Sequence, residues 1–175
     1  MIICITGTPG TGKTTLAKIL LKKLNYPSLD VKKFIKEKKL SEGYDKKDKC
    51  EIIDIKKLNK EIIKEIKRVK KAFSPEGIII DSHLSHYIPK KYVNICIVTK
   101  CELKELKKRL KKRRYSKDKI RENLDSEIFD ICLNEAKDKG HYTFVINATE
   151  GIKKETISQL TGEIYEIKST SRKTK

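Results

Sequence analysis

Apolar residues fall along this chain in short unbroken runs, and between the runs they recur at helical spacing. The runs are Ile2 to Ile5, Tyr26 to Leu29, Ile78 to Asp81, Val93 to Val98 and Phe144 to Ile146. Runs of this length without polar alternation read as strands buried on both faces, as in a parallel sheet. Helical spacing covers about 13–24, 30–38, 55–72, 102–114, 117–139 and, less clearly, 152–166. Strands alternating with helices predict right-handed βαβ crossovers and a three-layer α/β domain over residues 1–167. Residues 168–175, Lys-Ser-Thr-Ser-Arg-Lys-Thr-Lys, are basic and polar and read as a frayed tail.

Two segments interrupt the pattern. Residues 30–54 carry many charges, few core candidates and a turn signal at Gly43. Residues 107–114 are almost wholly basic, with Leu110 the only apolar side chain, and Tyr115 follows them. Both read as peripheral flaps on the sheet, of the kind that close over phosphates.

Composition adds limits. The chain has 175 residues, enough for one domain with a core. Charged residues (38%) outnumber apolar ones (37%), yet the apolar ones cluster, which favours a folded domain with a charged skin over disorder. Met1 leads straight into the first strand, so no signal peptide is expected, and no apolar run approaches the ~20 residues of a membrane span. A cytoplasmic protein without a membrane partner is the expectation. Five cysteines without C-x-x-C spacing read as reduced thiols packed as small hydrophobes, not as a zinc site. The net charge of +18 has two readings: an anionic partner such as RNA, or lysine covering a solvated surface.

Residues 7 to 14 spell Gly-Thr-Pro-Gly-Thr-Gly-Lys-Thr, the full G-x-x-x-x-G-K-[ST] phosphate-loop pattern, set between a strand and a helix. Gly7, Gly10 and Gly12 let the backbone wrap a phosphate, and the helix beginning near Lys13 adds its positive end. Lys13 is placed to reach β- and γ-phosphates, and the Thr14 hydroxyl to hold Mg²⁺. The strand Ile78 to Ile80 ends in Asp81, the expected acid for the metal's hydration shell. His83 follows and reads either as a group that positions water or as a turn residue; His86 reads more simply as a turn residue. Arg109 and Arg113, four apart, share a helix face and read either as a clamp on the transferred phosphoryl group or as part of a solvated basic helix.

Several motifs together carry a specific resemblance. Gly7 to Thr15, Asp81-Ser82-His83, Glu42-Gly43-Tyr44-Asp45 followed by Cys50, Ile52 and Asp54, Arg109-Leu110 with Arg113, Tyr115 and Asn123, and Glu127-Ile128-Phe129 stand in one order. The chain thereby resembles the adenylate kinase isoenzyme 6 family, the atypical adenylate kinases that include the coilin-interacting nuclear ATPase and its archaeal relatives. The likeness runs from residue 2 to about 160. It implies a P-loop NTPase of nucleoside monophosphate kinase type, with a five-stranded parallel sheet in the order 2-3-1-4-5 and a short lid. It implies transfer of a phosphoryl group from ATP to AMP or a related monophosphate, and ATP hydrolysis. It also implies action in small-subunit ribosome maturation, through a transient complex with a platform ribosomal protein and with rRNA within reach.

By this likeness Gly10, Gly12, Lys13, Thr14 and Thr15 bind ATP and Arg109 contacts its phosphates. Residues 30–54 form the monophosphate flap, with Asp30, Lys36, Gly43, Tyr44 and Asp54 facing the acceptor, and about 107–117 form the lid. Lys13, Asp81, His83, Arg109 and Arg113 are the catalytic set. Two positions depart from the family pattern. Lys36 stands for an arginine, a point charge in place of a bidentate fork. Arg114 stands for the glycine of the lid's Arg-Gly-Tyr. The expected function is an adenylate kinase; the alternative is an ATPase switch in ribosome assembly with incidental kinase activity.

Overall fold

In a computed structural model the alternating faces of three central strands separate two apolar layers. It describes residues 1–46 and 50–173, without the side chains of 171–173. Strand β1 (Ile2–Thr6) is buried throughout. Its Ile2 and Cys4 face one layer and its Ile3 and Ile5 the other, and β5 (Ile78–Asp81) and β6 (Ile95–Lys100) alternate likewise. Helices α2 (Val31–Glu37), α3 (Ile55–Phe73) and α6 (Ile131–Asp138) cover the first face. Helices α1 (Lys13–Leu24) and α7 (Lys154–Lys173) cover the second. This is the three-layer arrangement a double-sided strand requires.

With β2 (Ser28–Asp30) and β7 (Thr143–Asn147) the sheet has five strands in the order β2-β5-β1-β6-β7, all pairs parallel. Numbering only these five gives the expected 2-3-1-4-5. A third, smaller apolar cluster of Cys101, Leu106, Leu110 and Ile120 lies between α4 (Leu103–Lys112) and α5 (Lys117–Ile128).

Three local expectations are corrected. The flap contains a separate antiparallel hairpin, β3 (Ser41–Asp45) with β4 (Cys50–Ile53). Its strands are largely exposed and short, β3 is polar and β4 carries only Cys50, Ile52 and Ile53 around Glu51, so no long apolar run marked them; residues 47–49 of the flap lie outside the described residues. The helix expected over 117–139 is two helices, broken where Asp130 takes a left-handed φ of 52°. The stretch expected to fray from 168 is helical through Lys173, extending α7; the rest of the tail lies outside the described residues.

Candidate active site

The C-terminal ends of β1, β2 and β5 converge on the loop at residues 7–14, the edge where open parallel sheets bind ligands. The loop is pressed against its surroundings. A Cβ on Gly7 (φ 133°) would lie 2.3 Å from the Thr99 carbonyl oxygen, and one on Gly10 (φ 97°) 2.9 Å from Leu106. Glycine is required at both for space and for backbone conformation. Gly12 caps α1, whose first residue is Lys13. Thr11 Oγ1 donates to the Thr8 carbonyl at 2.8 Å and shares a 2.7 Å bond with Thr99 Oγ1.

Lys13 Nζ donates back to the loop, to Gly7 O at 2.6 Å and Thr8 O at 3.0 Å. Burial pushes its pKa down from 10.5 to about 8, with the Arg113 guanidinium adding to the effect; Cys132, Asp81 and Glu127 oppose it. Asp81 is shifted up by burial, against a hydrogen bond from Thr14 and the Lys13 charge. Thr14 and Asp81 are thus in contact across the mouth of the loop. Their donors are hard oxygens suited to Mg²⁺, which typically takes one or two protein oxygens and completes its shell with phosphates and water. Among the described residues no group of three or more His, Cys, Asp or Glu side chains forms a metal cage.

Asp30 sits beside Asp81 in the β2–β5 register and caps α2, accepting from Lys33 N at 3.1 Å. His83 is pushed down to about 4, chiefly by the protein atoms crowded around it and then by Lys13. Its outer edge meets solvent, and His83 is neutral at pH 7.

Arg109 takes a different place from a free clamp. Its Nη2 donates to Ala148 O at 2.8 Å and Thr149 O at 2.7 Å, its Nη1 to Gly10 O at 3.4 Å, and its Nε to Glu105 at 3.0 Å. It bridges the phosphate loop to the turn after β7. Arg113 ends α4 and is exposed, with its charge felt at Lys13. Thr15 is exposed on the first turn of α1. The structure therefore brings together Lys13, Thr14, Asp81, Asp30, His83 and Arg113.

The remaining flap residues stand apart. Lys36 is exposed in the last turn of α2, and Gly43 and Tyr44 lie on the exposed hairpin. Asp54 caps α3, accepting from Lys56 N at 2.7 Å and Lys57 N at 3.2 Å. No described hydrogen bond joins these four to the loop.

Two buried groups were not legible as such from the residues: one a partner of the loop, the other of the strand that leads into it. Glu127 accepts from Thr8 Oγ1, and His86 links Thr6 Oγ1 (2.6 Å) to Glu135 (2.8 Å). An acid in a polar helix and a histidine in a turn both look like surface residues, and only tertiary packing buries them.

Fold and loop define a P-loop nucleotide-binding α/β protein. A family model described as an AAA domain matches residues 3–130, and the chain belongs to that family; similar proteins carry adenylate kinase names. Over 156 residues, 89% of this chain and 82% of the relative, it is 37% identical to the Methanosarcina acetivorans protein named "Putative adenylate kinase". Over 144 residues, 82% of this chain and 78% of the relative, it is 36% identical to the "Adenylate kinase isoenzyme 6 homolog" of Dictyostelium discoideum. Among solved structures, deoxyadenosine kinase from M. mycoides shares the fold at a TM-score of 0.55 and 20% identity, covering 95% of this chain and 100% of that one.

Proposed function

We propose that this protein is an adenylate kinase-like nucleoside monophosphate kinase that moves the γ-phosphoryl group of ATP to AMP or a related monophosphate. One observation carries the reading: Lys13, Thr14 and Asp81, from two different strand ends, meet at one phosphate loop. The names of the relatives support the same activity. An oxygen of the acceptor phosphate attacks the γ-phosphorus in line, the bond to the β,γ-bridging oxygen breaks, and ADP leaves carrying that oxygen. Such chemistry needs positioning and charge stabilisation more than covalent help. Lys13 leaves its carbonyl partners for the β- and γ-phosphates. Arg113 supplies a second positive charge at the open side. Thr14 and Asp81 would hold Mg²⁺, which would supply neutralisation of phosphate charge. Lys36, on the flap, faces the acceptor as a point charge.

A second reading is favoured by His83, whose neutral ring beside Lys13 suits it to accept a hydrogen bond from water. ATP hydrolysis on the same site would then drive a conformational step, and the ribosome-assembly role of the resemblance belongs to this reading. Purified protein incubated with ATP and Mg²⁺, with and without AMP, separates the two. The proposal expects two ADP per AMP consumed and little free phosphate. Phosphate release indifferent to AMP would replace the kinase by the ATPase.

A further inference from the structure

Glu127 is a carboxylate buried beneath the phosphate loop, 7% exposed, with no ion pair among the described residues. A carboxylate is costly to bury unless donors meet it. Two do. Oε2 accepts from Thr8 Oγ1 at 2.5 Å, and Oε1 accepts from Cys101 N at 2.9 Å. One donor belongs to the phosphate loop and the other to the chain leaving β6.

Much depends on where Thr8 is held. Its carbonyl oxygen accepts from Lys13 Nζ at 3.0 Å, from Thr11 N at 3.2 Å and from Thr11 Oγ1 at 2.8 Å. Moving Thr8 moves the acceptor that orients the phosphate lysine. Cys101 in turn packs with Leu106, Leu110 and Ile120 in the small cluster between α4 and α5. That cluster also presses on Gly10, through Leu106 and Leu110. The loop is thus seated at Gly10 by apolar contact and by Arg109, which donates to Gly10 O, and at Thr8 by the Glu127 carboxylate.

We propose that Glu127 is a positioning residue for the nucleotide: it fixes Thr8, and through Thr8 the loop and Lys13, in the form that receives the phosphates of ATP. A side chain that merely stapled α5 to β6 would alter melting and leave nucleotide binding untouched.

The inference rests on the ATP site of the proposed kinase and needs no acceptor, so direct ATP binding tests it. ATP dissociation constants are measured by calorimetry at one pH for the wild type, Glu127→Gln, Thr8→Val and the double variant, each with a melting curve. Glu127→Gln keeps an acceptor for Cys101 N and loses the charge. Thr8→Val keeps the charge and loses the hydroxyl. Each single change is expected to weaken ATP about tenfold, the scale of one hydrogen bond to a charged group. The double variant is expected to lie within about twofold of the weaker single, because both changes remove one interaction. Single variants within about twofold of wild type, or effects that multiply in the double, would overturn the proposal. Wild-type protein that fails to bind ATP sinks the proposed function and this inference together; wild-type binding with unmoved variants sinks this inference alone.

Discussion

Lys13 is charged at a cost to the ligand-free protein. Burial holds its folded pKa near 8, below the 10.5 of an ordinary lysine. Between those values the unfolded chain binds a proton that the folded chain has released, so stability rises with pH across the window, and the penalty is fully present below pH 8. Compared with Lys13→Met, which has no charge to desolvate, the wild type should gain stability from pH 8 to 10.5. Paired melting curves check this; a constant gap would mean that the hydrogen bonds to Gly7 O and Thr8 O already offset the burial. Arg114 is a second strained residue. It follows the end of α4 with φ 58°, a conformation that costs an L side chain about 1 kcal/mol. Arg114→Gly should therefore raise the denaturant midpoint by up to about 1 kcal/mol of stability at unchanged slope, since glycine's unfolded-state entropy takes back part of the gain. A lower midpoint would mean that the arginine side chain makes contacts worth more than the strain. Lys13 and Arg114 were both legible in the sequence, one through its motif and one through its departure from a motif. Glu127 as a buried partner was not, because nothing local in a polar helix distinguishes a carboxylate that will be buried from one that will be solvated.

At the scale of elements, legibility followed burial. The three central strands, buried on both faces, announce themselves as apolar runs; the edge strands β2 and β7 are partly exposed, yet their shorter apolar runs still placed them within a few residues. The flap hairpin is exposed over Ser41 to Tyr44 and over Cys50 to Ile52, so no burial pattern marked it. The break between α5 and α6 was hidden for the opposite reason. Ile128, Phe129 and Ile131 continue an apolar rhythm across it, although all three are exposed. What ends α5 is the left-handed Asp130, whose carboxylate pairs with Lys100, a contact no local pattern encodes. Asp54 shows two roles competing for one side chain. The resemblance assigns it to the acceptor, while its carboxylate in this structure accepts from the first amides of α3. Asp54→Ala should cost about 1 kcal/mol of stability as a lost helix cap, and Asp54→Asn, itself a good cap, far less. With capping retained, the Asn variant isolates the substrate role. Its KM for AMP is expected to stay within about twofold of wild type, and a larger rise would return Asp54 to the acceptor site.

Across the whole molecule, the sheet collects acids and the surface collects bases. Asp30 and Asp81 end neighbouring strands at the loop, while 42 Lys and Arg stand against 24 Asp and Glu over the chain. Helix α4 shows how the excess is arranged. Leu106 and Leu110 face inward, and Lys104, Lys107, Lys108, Lys111 and Lys112 are exposed. Its acidic side chain, Glu105, is engaged with Arg109 and Lys108, so the lysines project outward with little local neutralisation. The same helix presses on Gly10 through its leucines, which places this charge beside the nucleotide site. Two consequences follow from simple electrostatics. If the excess charge serves a polyanion, binding releases counterions, and affinity for a single-stranded RNA oligomer would fall steeply and linearly on a log–log plot against salt. Because each phosphate contact contributes about 0.7 to that slope for single strands, replacing Lys107 and Lys111 with glutamine should flatten it by about one unit or more if both touch phosphate. ATP, which occupies the loop itself, should lose far less affinity in the same double variant. Binding measured by fluorescence anisotropy between 50 and 300 mM salt decides the matter: a flat response would reduce the +18 to a solvated skin, and a slope that the two substitutions leave unchanged would move the polyanion to another face of the protein.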